Sequence, residues 1–189
     1  MGLKNYLTGA LRSLIEKYRG EARSAQLAML RARGMKIGTD VHILDGAFLD
    51  PSHCYLIEIG DRVIFAPNVR LIAHDASTKY VIGKSRLGRI SIGNRCFLGD
   101  SVIVLAGVKI GDDCIIGAGS LVNKDIPTGS VAAGNPARVI CTLEEFRARH
   151  QAALAAGTLF DEKAWAETAD AAMRQQVLEA LDRGPAYMP

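Results

Sequence analysis

An aliphatic residue recurs at every sixth position through the middle of the chain. The longest uninterrupted series is Ile92, Leu98, Val104, Ile110, Ile116 and Val122. The same phase occurs in two shorter series, Ile37, Ile43, Leu49 and Ile59, Phe65, Leu71. A helix would show a period of 3.6 residues and a simple strand a period of 2. A period of six instead predicts twelve short strands, each followed by a turn, and an internal repeat of this kind is typical of solenoids.

Three such units close a triangular coil of eighteen residues, and successive coils share their backbone hydrogen bonds. Residues eighteen apart should therefore lie one above the other, as Ile92 with Ile110. The same spacing stacks Cys96 on Cys114, which we interpret as core thiols and not as a metal site. The pattern predicts a mainly β protein, a parallel β-helix of about four coils with helices at both ends.

The repeat is interrupted twice. Four extra residues lie between Leu49 and Ile59, and fifteen lie between Leu71 and Ile92. Both interruptions follow the third unit of a coil, so both insertions should leave from the same edge of the solenoid. Two loops on one edge of a rigid scaffold are a natural way to build a site.

Charge and helical patterns divide the chain into three predicted segments, namely 1–36, 37–141 and 142–189, with net charges of +6, zero and −3. In the first segment, apolar positions from Leu3 to Tyr18 mark one helical face. In the last, Thr142 and Glu145 form a capping box that should start a helix ending near Gly157. A second helix is predicted from Asp161 to Leu181.

Composition excludes several classes of protein. With 49% hydrophobic and 23% charged residues among 189, the chain is neither disordered nor collagenous. No apolar run reaches the ~20 residues that span a bilayer, and we expect no secretory signal. The four cysteines form no CxxC pair, which favours reduced thiols in the cytoplasm.

The basic segment 1–36 could contact nucleic acid or an anionic membrane surface. We favour a solvated helix face, and the helix would cap the open end of the first coil. We expect no nucleic-acid partner, and at most weak, peripheral membrane association through residues 1–36.

Three blocks of the sequence resemble the hexapeptide-repeat acyltransferases. They are IGDRVIFAPNVRLIAHD (59–75), ISIGNRCFLGDSVIVLAGVKIGDDCIIGAGSLVNKDIP (90–127) and VAAGNPARVI (131–140). The blocks are similar to the maltose/galactoside O-acetyltransferase branch, and HDASTK (74–79) resembles O-acetyltransferases of bacterial surface-polysaccharide synthesis. The resemblance implies a left-handed coil, transfer of acetyl from acetyl-CoA to a sugar or glycan hydroxyl, a homotrimer and no required metal.

A general base is needed to remove the proton of the acceptor hydroxyl, and histidine is the usual base near neutral pH. His74 begins the long insertion and matches the family's catalytic histidine, with His53 as the alternative. His42 and His150 are interpreted as structural or exposed. Asp75 and Glu58 are candidate acids to orient His74, and a backbone carbonyl is equally compatible.

For coenzyme A, the resemblance implies that the pantetheine arm lies along the turns of the last coils. The matching positions are Asp100, Ala118, Asn123 and Lys124, and Arg138 matches a basic position near the phosphates. Two departures from the family pattern stand out. Asp100 replaces a smaller residue, and Cys141 stands where some members carry a second arginine.

Other functions are compatible with parts of this pattern. An N-acetyltransferase acting on an amino sugar or on a nucleotide-sugar amine needs the same base, so the sequence separates it poorly from an O-acetyltransferase. A zinc carbonic-anhydrase-like β-helix needs an HxxxxH pair, which the sequence lacks. A non-catalytic structural β-helix is disfavoured by the His-Asp loop at 74–75 and by the GNPA turn at 134–137.

Overall fold

The computed structural model describes residues 23–165 and 168–189, and the chain divides into two compact units, Met1–Ile140 and Cys141–Pro189. In the described part of the first unit, three sheets form the solenoid, and their coil strands pair in parallel. Sheet I has the order β1 (Lys36–Ile37), β4 (Ile57–Ile59), β9 (Ile90–Ile92), β12 (Lys109–Ile110). Sheet II begins with β2 (His42–Ile43), β5 (Ile64–Phe65), β10 (Phe97–Leu98), β13 (Ile115–Ile116) and continues with β15 (Ser130–Gly134) and β16 (Ala137–Thr142). Sheet III has the order β3 (Phe48–Leu49), β6 (Arg70–Ile72), β11 (Ile103–Leu105), β14 (Leu121–Val122).

The chain visits sheets I, II and III in turn and then repeats, so the unit is a parallel β-helix of four coils. Ile92 pairs with Ile110, and Val104 pairs with Val122, which confirms the predicted eighteen-residue stacking. Ile59 pairs with both Ile37 and Ile92 across the interrupted coils. The two insertions therefore leave the stack of strands undisturbed.

The recurrent aliphatic side chains fill the centre of the coil. Leu98, Val104 and Ile116 are fully buried, which accounts for the period of six. Cys96 and Cys114 are buried with them, and their thiols donate to the carbonyls of Gly111 and Pro127 at 3.1 Å each. The prediction that these two cysteines are core thiols is confirmed.

Glycine at the coil corner between sheets I and II allows one coil to stack closely on the next. A Cβ atom at Gly93 would lie 2.3 Å from Asp112 Oδ1 and 2.6 Å from its backbone nitrogen. Any side chain there would force adjacent coils apart, because the backbone of the next coil occupies the space.

The first coil is covered by a helix, α1, which is described over 23–32. Leu30 is only 1% exposed, and Leu27 packs against the same core. Arg23 forms an ion pair with Asp45 on the first coil.

The predicted apolar face from Leu3 to Tyr18 lies outside the described residues, so membrane contact by the basic segment stays a prediction. Within the described residues, no helix is long and apolar enough to cross a membrane.

The second unit confirms one predicted tail helix and corrects the other. Helix α3 (Leu143–Ala156) follows the Thr142–Glu145 capping box, in which the Glu145 amide donates to Thr142 Oγ1 at 3.1 Å. The single helix predicted from Asp161 to Leu181 is wrong. A 3-10 turn covers Glu162–Ala164, and helix α4 begins only at Ala171 and ends at Leu181.

The side chains of two aspartates explain this break. Asp161 accepts from the Lys163 amide at 3.0 Å, and Asp170 accepts from the Met173 amide at 2.8 Å. Each aspartate therefore starts its own short element as an N-cap, because its carboxylate satisfies an amide that has no helical partner.

The unit also contains the parallel pair β17 (Thr158–Leu159) and β18 (Ala186–Tyr187). The three-segment division with boundaries at 36 and 141 stays a prediction.

Candidate active site

Both insertions leave the solenoid at the corner after sheet III, as the repeat predicts. The first follows Leu49 and contains a 3-10 turn at Cys54–Leu56. The second follows β6 and forms a small hairpin of β7 (His74–Asp75) and β8 (Arg86–Leu87), with helix α2 (Ser77–Ile82) between the two strands. Because Leu49 and Leu71 are paired in sheet III, the two insertions begin on neighbouring coils.

Asp50 is the first residue of the shorter insertion, and it holds the His74 ring. His74 Nδ1 lies 2.5 Å from Asp50 Oδ2, and the Asp50 side chain is fully buried. Oδ2 also accepts from the Ala73 amide at 3.1 Å. Oδ1 accepts from the amides of Ser52 and His53 at 3.1 and 3.3 Å. Two insertions are thus joined through a single carboxylate.

Burial on its own would raise the pKa of Asp50. The hydrogen bond and charge of His74, together with the Ser52 and His53 amides, outweigh burial and hold that pKa below its usual value. Asp50 is therefore ionised near neutral pH and can only accept hydrogen bonds. The shared proton then belongs to Nδ1 of His74, which leaves the lone pair of its Nε2 free to take a proton.

His53 lies at the same place. Its ring centroid is 4.9 Å from that of His74, and its Nδ1 atom is 4.0 Å from Asp50 Oδ2. That Nδ1 is buried and has no hydrogen-bond partner. The predicted base, His74, and its alternative, His53, therefore flank one carboxylate.

The prediction that Asp75 or Glu58 orients His74 is wrong, because Asp50 occupies the Nδ1 side of the ring. Asp75 Oδ1 instead accepts from the Ser77 amide at 2.9 Å. Hydrogen bonds from the Ser77 side chain and from its amide lower the pKa of Asp75. Glu58 is exposed on β4, with its Oε2 3.4 Å from Lys36 Nζ. One signal for Asp50 was present in the sequence, since it opens the first insertion directly after a repeat position.

The remaining histidines lie elsewhere, as predicted. His42 is exposed on the first coil, with Nε2 2.8 Å from Asp40 Oδ1. His150 lies in α3, where its ring packs 4.3 Å from that of Phe146.

The positions predicted to bind coenzyme A fall at three places. Asn123 and Lys124 are exposed directly after β14, at the corner from which the insertions leave and two coils beyond His74. Asp100 and Ala118 are exposed at the preceding corner, between sheets II and III, where the Asp100 carbonyl accepts from the Gly119 amide at 2.8 Å. Arg138 is exposed on β16. The structure brings only Asn123 and Lys124 to the edge that carries His74.

The long insertion lies across the coil between His74 and these two residues. Arg86 Nη2 donates to the Ala106 carbonyl at 3.3 Å. A Cβ atom at Gly88 would lie 2.4 Å from the Gly107 nitrogen, so the returning strand needs glycine there to pass close to the third coil.

Comparison with known proteins agrees with this architecture. Residues 89–124 match the family model described as bacterial transferase hexapeptide (six repeats). The chain is 45% identical over 89 residues to galactoside O-acetyltransferase of Escherichia coli, covering 46% of this chain and 44% of that one. It spans about half the length of the curated relatives it matches.

Two solved structures are also similar. A maltose O-acetyltransferase from Clostridium difficile is 31% identical, covering 60% of this chain and 72% of that chain with a TM-score of 0.47. A hexapeptide-repeat-containing acetyltransferase from Vibrio cholerae, solved with acetyl coenzyme A, is 27% identical with a TM-score of 0.51. The match covers 58% of this chain and 61% of that chain. The repeat region therefore matches the hexapeptide-repeat transferases, and the solenoid is a left-handed parallel β-helix.

Proposed function

We propose that this protein is an acetyl-CoA-dependent O-acetyltransferase that acetylates a sugar hydroxyl in bacterial surface-polysaccharide synthesis. The observation that carries the proposal is the Asp50–His74 pair, with its 2.5 Å contact, on the loop-bearing edge of a hexapeptide-repeat solenoid. The similarity to galactoside O-acetyltransferase and to an acetyltransferase solved with acetyl coenzyme A supports the reaction type. Because acetyl-CoA is a cytoplasmic metabolite, we place the reaction in the cytoplasm.

His74 acts as the general base. Its Nε2 takes the proton of the acceptor hydroxyl while the oxygen attacks the thioester carbonyl. The tetrahedral intermediate then expels the coenzyme A sulfur, which recovers a proton from the His74 imidazolium. The products are an acetyl ester and free coenzyme A. Asp50 fixes the ring through Nδ1 and stabilises the positive charge that His74 acquires. Attack is direct, so no serine or cysteine nucleophile is required.

Coenzyme A would lie along the exposed turns of the last coils. Lys124 and Arg138 supply positive charge for its phosphates, and Asn123, Asp100 and Ala118 offer exposed backbone groups for the pantetheine arm. Lys124 lies on the same edge of the solenoid as His74, two coils further along.

The direct test incubates the protein with acetyl-CoA and a panel of glycan acceptors and follows products by mass spectrometry. We expect a gain of one acetyl group that is lost on treatment with mild base, because esters are cleaved under conditions that amides survive. A base-stable acetyl group on an amino sugar would instead support the N-acetyltransferase alternative. Absence of transfer to any acceptor, with no binding of coenzyme A, would contradict both.

We further propose that the enzyme is a homotrimer whose sites lie between neighbouring solenoids. Apolar side chains are exposed on the outer face of sheet II, at Ile64 and Phe97. The tip of the long insertion is also apolar and exposed, and Tyr80 at that tip is 96% exposed. Exposed apolar groups of this kind are typical of interfaces.

Analytical ultracentrifugation should therefore give about three times the 20.3 kDa chain mass. If the sites are shared, mixing two inactive variants, His74→Ala and Lys124→Glu, should restore part of the activity, since some sites would combine an intact His74 with an intact Lys124. An active species that sediments as a monomer would contradict the proposal.

A further inference from the structure

Asp50, His53 and His74 together form a set of metal-binding donors. One ligand atom from each residue lies within 4.8 Å of the other two. Two imidazole nitrogens and one carboxylate oxygen are a usual ligand set for zinc and other divalent transition metals at sites that keep open positions. No other group of three histidine, cysteine or acidic side chains in the described part of the chain comes as close together.

His53 supplies the second observation. Its buried Nδ1 has no partner, although buried polar atoms in proteins are almost always paired. The nearest acceptor is Asp50 Oδ2 at 4.0 Å, which is too far for a hydrogen bond. Zinc binds histidine nitrogen and carboxylate oxygen at about 2.0 to 2.2 Å. An ion between these two atoms would contact both at a tetrahedral angle once their 4.0 Å separation shortens by about 0.6 Å.

Charge favours the same occupant. The carboxylate of Asp50 is fully buried and faces the imidazoles of both histidines. Its oxygens accept from three amides and from His74, and none of these donors comes from the His53 ring. A cation would neutralise the carboxylate and pair the unsatisfied nitrogen at once.

We propose that Asp50, His53 and His74 bind one divalent transition-metal ion, of which zinc fits the donors best, and that this ion inhibits transfer. The ion is not needed for the reaction. If it binds Nε2 of His74, it takes the lone pair that the base uses. If it binds Nδ1, the proton of Nδ1 moves to Nε2, and the lone pair at Nε2 is lost in the same way. In both cases the ring stays neutral but can no longer accept the hydroxyl proton.

The test measures metal binding directly on the chelator-treated, full-length protein without acetyl-CoA. Co²⁺ is followed by its visible absorption, and Zn²⁺ by competition with a chromophoric chelator. We expect one ion per chain. Outer partners of metal ligands are worth about 10- to 100-fold in affinity, so loss of the ligand itself in His53→Ala should weaken binding by at least ~100-fold.

His42→Ala is the matched control, because His42 is also paired with an aspartate but lies exposed on the first coil. It should bind Co²⁺ as tightly as the unaltered protein. His53→Gln, which keeps the bulk of the side chain but not the imidazole, covers the case in which His53→Ala does not fold. Equal affinity in the unaltered protein and in a folded His53 variant would overturn the proposal, as would failure of the unaltered protein to bind.

Inhibition is tested separately, and this part rests on the proposed function. Zn²⁺ should inhibit transfer by the unaltered protein at concentrations that match its binding, and chelator should restore the activity. If the protein binds Co²⁺ through His53 but transfers no acetyl group, the metal site stands and the proposed function fails. If transfer proceeds unchanged at saturating Zn²⁺, the inhibitory role is wrong.

Discussion

Replacing His74 with alanine should lower the rate of acetyl transfer by at least ~10²-fold, the low end of what general acid–base catalysis contributes. Without the imidazole, nothing at this position removes the hydroxyl proton as the oxygen attacks the thioester. Affinity for coenzyme A should be nearly unchanged, because the residues proposed to bind it lie on later coils. Release of free thiol from acetyl-CoA gives the rate, and calorimetry gives the affinity.

His42→Ala provides the control for this experiment, since it removes an exposed histidine from the same solenoid. It should retain full activity. If His74→Ala keeps more than a tenth of the unaltered rate, His74 is not the base. His53, whose ring centroid lies 4.9 Å from that of His74, is then the next residue to replace.

Replacing Asp50 with asparagine should lower transfer by about 10²- to 10⁴-fold, the upper value being that of the corresponding change in serine proteases. The amide can donate to Nδ1, which moves the ring proton to Nε2 and removes the lone pair that accepts the hydroxyl proton. The fall should appear in kcat, with little change in the affinity for coenzyme A.

Asp75→Asn is the matched control, because Asp75 is adjacent to His74 in sequence but bonds the Ser77 amide instead. It should leave the rate nearly unchanged, because the carboxylate that it replaces bonds the Ser77 amide. Equal losses in the two variants would contradict the assignment of Asp50 as the residue that positions His74.

The Asp50 variant should also change how stability depends on pH. The pKa of Asp50 is lower in the folded protein than its ordinary value of 3.8. Its ionised form therefore stabilises the fold above that value, and this contribution is lost as pH falls through the lower, folded pKa. Urea unfolding should show the unaltered protein more stable than Asp50→Asn at pH 7, with a smaller difference at pH 3. A difference that grows on acidification would contradict the direction of the shift.

Much of the solenoid could be predicted from the sequence alone, because the same strand and turn requirements apply to each six-residue unit and are repeated along the chain. A period of six residues requires a strand and a turn in every unit, and the stacking of Ile92 on Ile110 follows from three units per coil. The common edge of the two insertions follows from the same count. His74 was identified because it opens an insertion and matches a family motif, and neither fact depends on distant contacts.

Prediction from the local apolar pattern failed in the C-terminal segment. The apolar pattern from Asp161 to Leu181 is compatible with one helix, but the carboxylates of Asp161 and Asp170 each bond a nearby amide and start separate elements. The spacing of apolar residues is the same whether the segment forms one helix or two separate elements. It therefore does not show that an aspartate side chain will cap a new helix instead of lying within a longer one.

The partner of His74 depended on the folded structure. Asp50 and His74 are 24 residues apart, and they meet because the pairing of β3 with β6 sets the two insertions on neighbouring coils. Asp75 was the nearer acid along the chain, but the Ser77 amide takes its carboxylate. The sequence also could not predict that Nδ1 of His53 is buried and unpaired, because both properties depend on how the two loops pack together. The chain thus specified the scaffold and the candidate base, while the register between coils selected the carboxylate and placed the second histidine beside it.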